Sequence, residues 1–235
     1  MRKPIVNRSR LLILVEGETE EMFVKELLAP HLHGRGFESV SAKLMGNARL
    51  RSHRGGVRGW PEVKNEILRH LRADPSLFVA TMVDYYGMPG DPNKPKAWPG
   101  RHEATAAPYA GKAPRVEGAL SAEIQAELGD ARRFIPFVLM HEFEALLFSE
   151  CRTFAKAIER EELAHRLQEI RDKYNSPEEV NDSPATHPSR RIVELVPNYQ
   201  KPIYGNIAAL EIGLERIRSE CPHFRAWLER LEQVI

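Results

Sequence analysis

Three stretches of the chain are continuously apolar, and each runs straight into an acid. Residues 11–15 read Leu-Leu-Ile-Leu-Val before Glu16-Gly17, and residues 77–83 read Leu-Phe-Val-Ala-Thr-Met-Val before Asp84. Residues 134–140, Phe-Ile-Pro-Phe-Val-Leu-Met, precede His141-Glu142-Phe143-Glu144. Runs this short, apolar at both alternating positions and rich in β-branched or aromatic residues, predict strands buried on both faces. Pro136 lacks a ladder donor, so the third of them is short or lies near an edge. Residues 38–44 alternate weakly and predict one more strand. Between the strands the period becomes helical. Val24, Leu27 and Leu28 follow the first acid, with Thr19 as the expected N-cap, Glu20 and Glu21 in the first turn, and Pro30 and Gly34 as the stop. Pro61 opens a helix carrying Val63, Ile67, Leu68 and Leu71 on one face and ending near Asp74-Pro75. Residues 116–128 predict another, stopped by Gly129. Beyond residue 150 the pattern is helical throughout, with faces at Leu163, Leu167, Ile170 and Tyr174, at Ile207, Leu210, Leu214 and Ile217, and at Trp227, Leu228 and Leu231.

Alternating strands and helices predict an α/β fold with a mostly parallel central sheet flanked by helices and a helical C-terminal part. Residues 1–150 form the α/β portion and residues 151–235 the helical region. No clean linker separates them, so the helices are expected to pack back onto the sheet as one compact unit. With 235 residues, 42% of them hydrophobic, the chain is long enough for a substantial core. Residues 88–114 hold six prolines and little apolar periodicity, which reads as a long loop acting as a lid or a docking surface.

Charge narrows the field only through its distribution, because 34 Lys and Arg balance 33 Asp and Glu. Arg49, Arg51, Arg54 and Arg58, with His53 and three glycines (Gly55, Gly56, Gly59), form a cationic stretch suited to following a phosphate backbone, or else an ordinary solvated loop. Cys151 and Cys221 are too few for a disulfide framework or a zinc cluster and fit a reduced, cytoplasmic setting. No apolar run approaches the roughly 20 residues of a membrane span, and the basic N-terminus does not read as a signal peptide. No membrane partner is expected.

Parallel strands in register would bring Glu16, Asp84 and the His141–Glu142–Glu144 group to the carboxyl edge of the sheet, where open α/β folds bind ligands. Taken singly, each acid could cap a helix or pair with a base. Three strand ends carrying acids together suggest a shared cation, since clustered carboxylates need one. Oxygen donors suit Mg²⁺ or Mn²⁺ rather than zinc, and phosphodiester cleavage is the chemistry that most needs such a site. His141 could be a ligand, a general base, a phosphate donor or a structural residue. Tyr85 and Tyr86 read as buried aromatic packing. Lys201 and Arg190-Arg191 are basic residues of a loop that could steady a phosphate. Trp60, Trp98 and Trp227 read as packing residues in unrelated contexts.

Taken in order, Val15-Glu16-Gly17-x-Thr19-Glu20, Val83-Asp84-Tyr85-Tyr86-Gly87 and His141-Glu-Phe-Glu-Ala-Leu-Leu-Phe148 resemble the signatures of a bacterial domain-of-unknown-function family of the Toprim-like superfamily. Residues 176–182, 188–192 and 221–227 are similar to it as well, so the resemblance covers nearly the whole chain. It implies a fold shared with topoisomerases, primases and the overcoming-lysogenization-defect (OLD) nucleases. Glu16 would then be the strand-one glutamate and Asp84 the first acid of an Asp-x-Asp motif, whose second acid is Tyr86 here. Glu142 or Glu144 would supply the missing ligand, or the metal site would be weakened or lost. The resemblance further implies a Mg²⁺-dependent (or Mn²⁺-dependent) nuclease acting on DNA or RNA in bacterial phage defence. A partner ATPase of the ABC or AAA type would act with it. In that scheme Glu20, His141 and Arg191 stand behind the ligands, and Lys201 or Arg191 faces the phosphate. The rival expectation is a degenerate adaptor that binds without chemistry.

Overall fold

A computed structural model describes residues 9–46, 58–180, 192, 196 and 200–235. Arg49, Arg51, Arg54, Arg190 and Arg191 lie outside the described residues, and of Lys201 only the backbone is described. Four strands form one parallel sheet: β1 (Arg10–Val15), β2 (Ser39–Leu44), β3 (Leu77–Asp84) and β4 (Phe134–Leu139), in the order β2-β1-β3-β4. The three apolar runs are β1, β3 and β4, and Pro136 does sit on an edge strand, opposite Thr81. Both faces of the sheet are covered. Leu11, Ile13, Val15, Ala80, Met82, Ile135 and Phe137 point into one core and Leu12, Leu14, Val79, Val83, Phe134 and Val138 into the other.

The first face is covered by the helical run that follows β1. It starts as α1 (Glu18–Phe23), widens into a π-helical turn at Val24–Leu28, and continues as α2 (Ala29–Arg35). Two expectations fail here. Gly17, not Thr19, is the N-cap, and Thr19 lies buried inside the first turn. Pro30 does not stop the helix either, which runs on to Arg35 and ends at Gly36 with φ 123°. A proline inside an α-helix removes one hydrogen bond and crowds the preceding turn. The wider π turn immediately ahead of Pro30 is where the helix can accommodate that loss.

The opposite face is covered by α3 (Trp60–Ala73) and α4 (Tyr109–Leu128). Helix α4 starts seven residues ahead of the position expected from periodicity (Tyr109 against 116) and takes Pro114 into its interior, so the long loop is shorter than it reads. That loop is also anchored. Trp98 packs on Trp60 with ring centroids 5.3 Å apart, and its Nε1 donates to the Arg58 carbonyl at 2.7 Å. The two tryptophans therefore share one context.

After β4 the chain makes a 3₁₀ turn (Phe143–Ser149), then α5 (Cys151–Ala157), α6 (Ala164–Arg171), α7 (Lys201–Ile212), α8 (Leu214–Glu220) and α9 (Pro222–Gln233). Lys201 thus opens a helix rather than sitting in a loop. These helices share a core with the first face of the sheet. Trp227 of α9 stacks on Phe137 of β4 at 4.7 Å and donates through Nε1 to the Ile135 carbonyl at 3.3 Å. In α7 the apolar face is not the expected one: Ala208, Ala209 and Ile212 are buried, while Ile207 and Leu210 are exposed. Small residues let α7 approach its neighbours closely, so the larger side chains face outward.

Candidate active site

The order β2-β1-β3-β4 places the switch in winding direction between β1 and β3. Helix α1 leaves β1 over one face, and the chain leaves β3 toward α4 on the other. The carboxyl ends of those two strands therefore border a crevice left open by both connections. Register fixes what lies there. Val15 is opposite Met82, so Glu16 stands beside the end of β3, and Asp84 is opposite Leu139, just ahead of His141.

The backbone N–H of Asp84 donates to Glu16 Oε2 at 3.4 Å, which joins the first two acids directly. Asp84 Oδ1 is closed off from solvent and accepts no hydrogen bond. Burial first, and then the charges of Glu16, Glu20, Glu142 and Glu144, push the Asp84 carboxyl well above the ordinary carboxylate value. The charges of four glutamates, from the segments that follow β1 and β4, thus act on Asp84. Glu20 reaches the rim because Gly17 has no side chain: a Cβ there would come within 2.8 Å of Glu20 Oε2. Glu142 is the N-cap of the 3₁₀ turn and is partly exposed, whereas Glu144 is carried inward with Phe143, Leu146 and Leu147. That turn begins at Phe143, so the helical spacing that would pair Glu144 with His141 does not apply.

Among the described residues, no three His, Cys, Asp or Glu side chains are gathered closely enough to hold a metal ion as they stand. The donor chemistry nevertheless fits a hard cation. Mg²⁺ keeps several waters and is commonly held through one or two carboxylates, so Glu16 and Asp84 are the residues that would hold it.

The family model of a domain of unknown function, DUF4276, matches residues 15–232. The chain belongs to the DUF4276 family. No curated protein matches it. Among solved structures, this DUF4276 chain is similar to the C-terminal region of the OLD protein of Xanthomonas campestris pv. campestris, in two structures phased with iodine and with mercury. The first is 16% identical over 96% of this chain and 95% of that one, with a TM-score of 0.43. The second is 14% identical over 96% of each chain, with a TM-score of 0.42. A likeness of that order assigns no residue a role.

Around the acids the DUF4276 chain places groups that periodicity did not single out. Tyr85 is fully buried, but Tyr86 is 43% exposed, so the two tyrosines do not share the packing role expected of both. The Tyr86 ring lies parallel to His141 at 5.4 Å, and Tyr109 packs on the same imidazole at 5.7 Å. Arg101 donates through Nε to the Tyr85 carbonyl at 2.9 Å, and its guanidinium lies 3.8 Å over the Tyr85 ring. That fixes a cation one residue from Asp84. Nothing local marks Arg101 in the sequence; it sits among prolines, and only the folding back of the loop brings it to the rim. Arg58, by contrast, is engaged with Glu62 at 2.6 Å.

A second acidic pair lies behind the turn. Glu117 Oε1 accepts from the Val138 N–H at 2.8 Å and meets His223 Nε2 at 2.9 Å. Glu178 accepts from the N–H groups of His223 and Phe224 at 2.9 and 2.8 Å and so caps α9. Between this pair and the acidic rim lies a cavity of about 320 Å³, and His141 and Glu142 border both.

Proposed function

We propose that this protein is a Toprim-like, Mg²⁺- or Mn²⁺-dependent phosphodiesterase acting on nucleic acid. One observation carries the reading: at the crevice between β1 and β3 the buried Asp84, whose main-chain N–H meets Glu16, feels the charges of Glu16, Glu20, Glu142 and Glu144 and keeps one carboxyl oxygen without a donor. A buried carboxylate oxygen without a donor, held among like charges, is costly as an ion unless a cation meets it. The ordered motifs from Glu16 to Phe148 support the same reading by their resemblance to Toprim-like proteins.

Glu16 and Asp84 would hold the ion, with Glu142 or Glu144 completing the set and Glu20 acting through water. A bound divalent cation would supply charge neutralisation on the phosphodiester and a more acidic water. Asp84, held toward its protonated form by its neighbours, would release its proton as positive charge enters. Arg101 would face the phosphate with a guanidinium whose orientation is already fixed by the Tyr85 carbonyl and ring. His141, buried between Tyr86 and Tyr109, would stand behind the ligands. Lys201, Arg191 and the arginines at 49, 51, 54 and 58 would add charge along the nucleic-acid backbone. An ABC- or AAA-type ATPase partner and a role in phage defence belong to the same proposal.

The second reading, an adaptor without chemistry, is favoured by Tyr86 standing where a second acid belongs and by the lack of a three-ligand group among the described residues. Incubating the protein with single-stranded DNA, plasmid and tRNA, in Mg²⁺ or Mn²⁺, separates the two. Divalent-dependent cleavage that disappears in Glu16→Gln and Asp84→Asn supports the enzyme. Nucleic-acid binding without cleavage, with and without candidate ATPase, supports the adaptor.

A further inference from the structure

Resting on that reading of a nucleic-acid substrate, we propose that the connection from β3 to α4, with the first turns of α4, is the surface along which a phosphodiester backbone reaches the acidic rim. The proline-rich stretch expected to be a lid or a docking surface then has a partner of stated chemistry. Residues 88–115 hold Lys94, Lys96, Arg101, Lys112 and Arg115 against Asp91 and Glu103, in a chain whose charges balance as a whole. Asp91 is bridged by Lys94, so the excess charge sits on the other four cations.

Packing fixes where three of these stand. Arg101 is held beside Asp84 by the Tyr85 carbonyl and ring. The residue before it, Gly100, has φ 73°, and a Cβ there would come within 3.0 Å of the Arg115 carbonyl oxygen and 2.9 Å of the Ala119 Cβ. Only glycine lets the loop lie so close on α4, which brings the chain at Arg101 against the chain at Arg115. Lys112 is one turn before Arg115, about 4.5 Å along the axis and on the same side of the helix. One turn further back is Tyr109, whose ring packs on His141. The row Arg115, Lys112, Tyr109 thus runs alongside the rim, from Arg101 near Asp84 to His141. The acids of α4 do not neutralise it. Glu117 is turned inward to the Val138 N–H and His223, and Glu123 and Glu127 are bridged by Lys64 at 3.1 and 3.2 Å. Arg115 is exposed and Lys112 partly so, and among the described residues neither makes an ion pair. A phosphodiester is repelled by the carboxylates of the rim, so cations beside them are needed to draw it in. Lys and Arg spaced along a rigid helix do this without reading sequence. An acidic protein face would match the same charges, but the position of the row beside the rim favours the backbone of the substrate.

The test measures fluorescence anisotropy of labelled single-stranded and duplex oligonucleotides with the full chain, in Ca²⁺ in place of Mg²⁺, across a series of salt concentrations. Lys112→Gln combined with Arg115→Gln should weaken binding about tenfold and reduce the slope of log K against log salt by about 2. Lys112→Arg combined with Arg115→Lys keeps both charges and should bind as wild type does. Arg152 and Lys156, four residues apart and exposed on α5, give the control: their double Gln variant removes the same charge elsewhere and should bind as wild type does. Equal losses in the two Gln pairs, an equal loss in the charge-conserving pair, or wild type that binds neither oligonucleotide overturns the proposal. So does an α4 pair that keeps its nucleic-acid affinity and loses binding to a purified ABC- or AAA-type ATPase. The parent reading fails separately: weakened binding in the α4 pair with no cleavage by wild type in Mg²⁺ keeps the surface and removes the nuclease, whereas cleavage by wild type with unchanged affinity in the α4 pair does the reverse.

Discussion

Replacing Asp84 by Asn should make the metal-free protein more stable. The wild-type residue keeps a solvent-shielded Oδ1 without a donor, amid the charges of Glu16, Glu20, Glu142 and Glu144. Leaving a buried acceptor unsatisfied costs about 1–3 kcal/mol, and more when it is charged. Asn is neutral at every pH and offers an N–H₂ donor to the neighbouring carboxylates, so the gain should be of that order at a pH above the raised Asp84 pKa, where the wild-type carboxyl is charged. For a chain of this size about 1–3 kcal/mol corresponds to a rise in Tm of roughly 2–12 °C. Thermal unfolding in EDTA reads it directly. In excess Mg²⁺ the order should reverse or close, because wild type gains about 2.7 kcal/mol at a hundredfold excess over Kd while Asp84→Asn gains little. An Asn variant less stable than wild type in EDTA would refute the reasoning: Asp84 would then be a satisfied structural residue.

Gly17→Ala should fold yet weaken divalent binding, since the new Cβ would stand 2.8 Å from Glu20 Oε2 and push that carboxylate off the rim. Unchanged Mn²⁺ affinity would remove Glu20 from the site. Trp227→Ala should cost about 3–5 kcal/mol in urea unfolding, because its ring stacks on Phe137 and its N–H bonds the Ile135 carbonyl. A loss under about 1 kcal/mol would mean that α9 adds little to the fold. His223 gives a pH dependence. Burial alone would lower its pKa, but the hydrogen bond and charge of Glu117, with Glu178, hold it above the ordinary histidine value. The folded state then binds the proton more tightly than the unfolded state. The stabilisation is full below about pH 6.5 and is lost as pH rises through the higher folded value. The stability advantage of wild type over His223→Gln should therefore shrink as pH rises above about 6.5; an advantage that grows with pH would show that the pair is not charged.

The core strands were legible because burial on both faces leaves an unmistakable apolar run, and the acids because each ends such a run. Pro136 on an edge strand follows from the same logic. What stayed hidden depends on contacts between distant segments. Pro30 looks like a stop until the π turn before it is seen, and Pro114 looks like loop because α4 takes it in near its start. Arg101 gains meaning only from the Tyr85 carbonyl, and the cavity only from α4, the 3₁₀ turn and α9 meeting. Ile207 and Leu210 misled because amphipathic spacing cannot tell which face of α7 wins when alanines permit closer packing.

Calorimetric titration of Mn²⁺ into the folded, chelator-treated protein reaches the central claim most directly. The account predicts saturable binding to wild type that is lost in Glu16→Gln and in Asp84→Asn, with Glu142→Gln and Glu144→Gln revealing which of the two completes the site. Wild type that takes up no ion while folded, or a Glu16→Gln variant that binds as well as wild type, would contradict it.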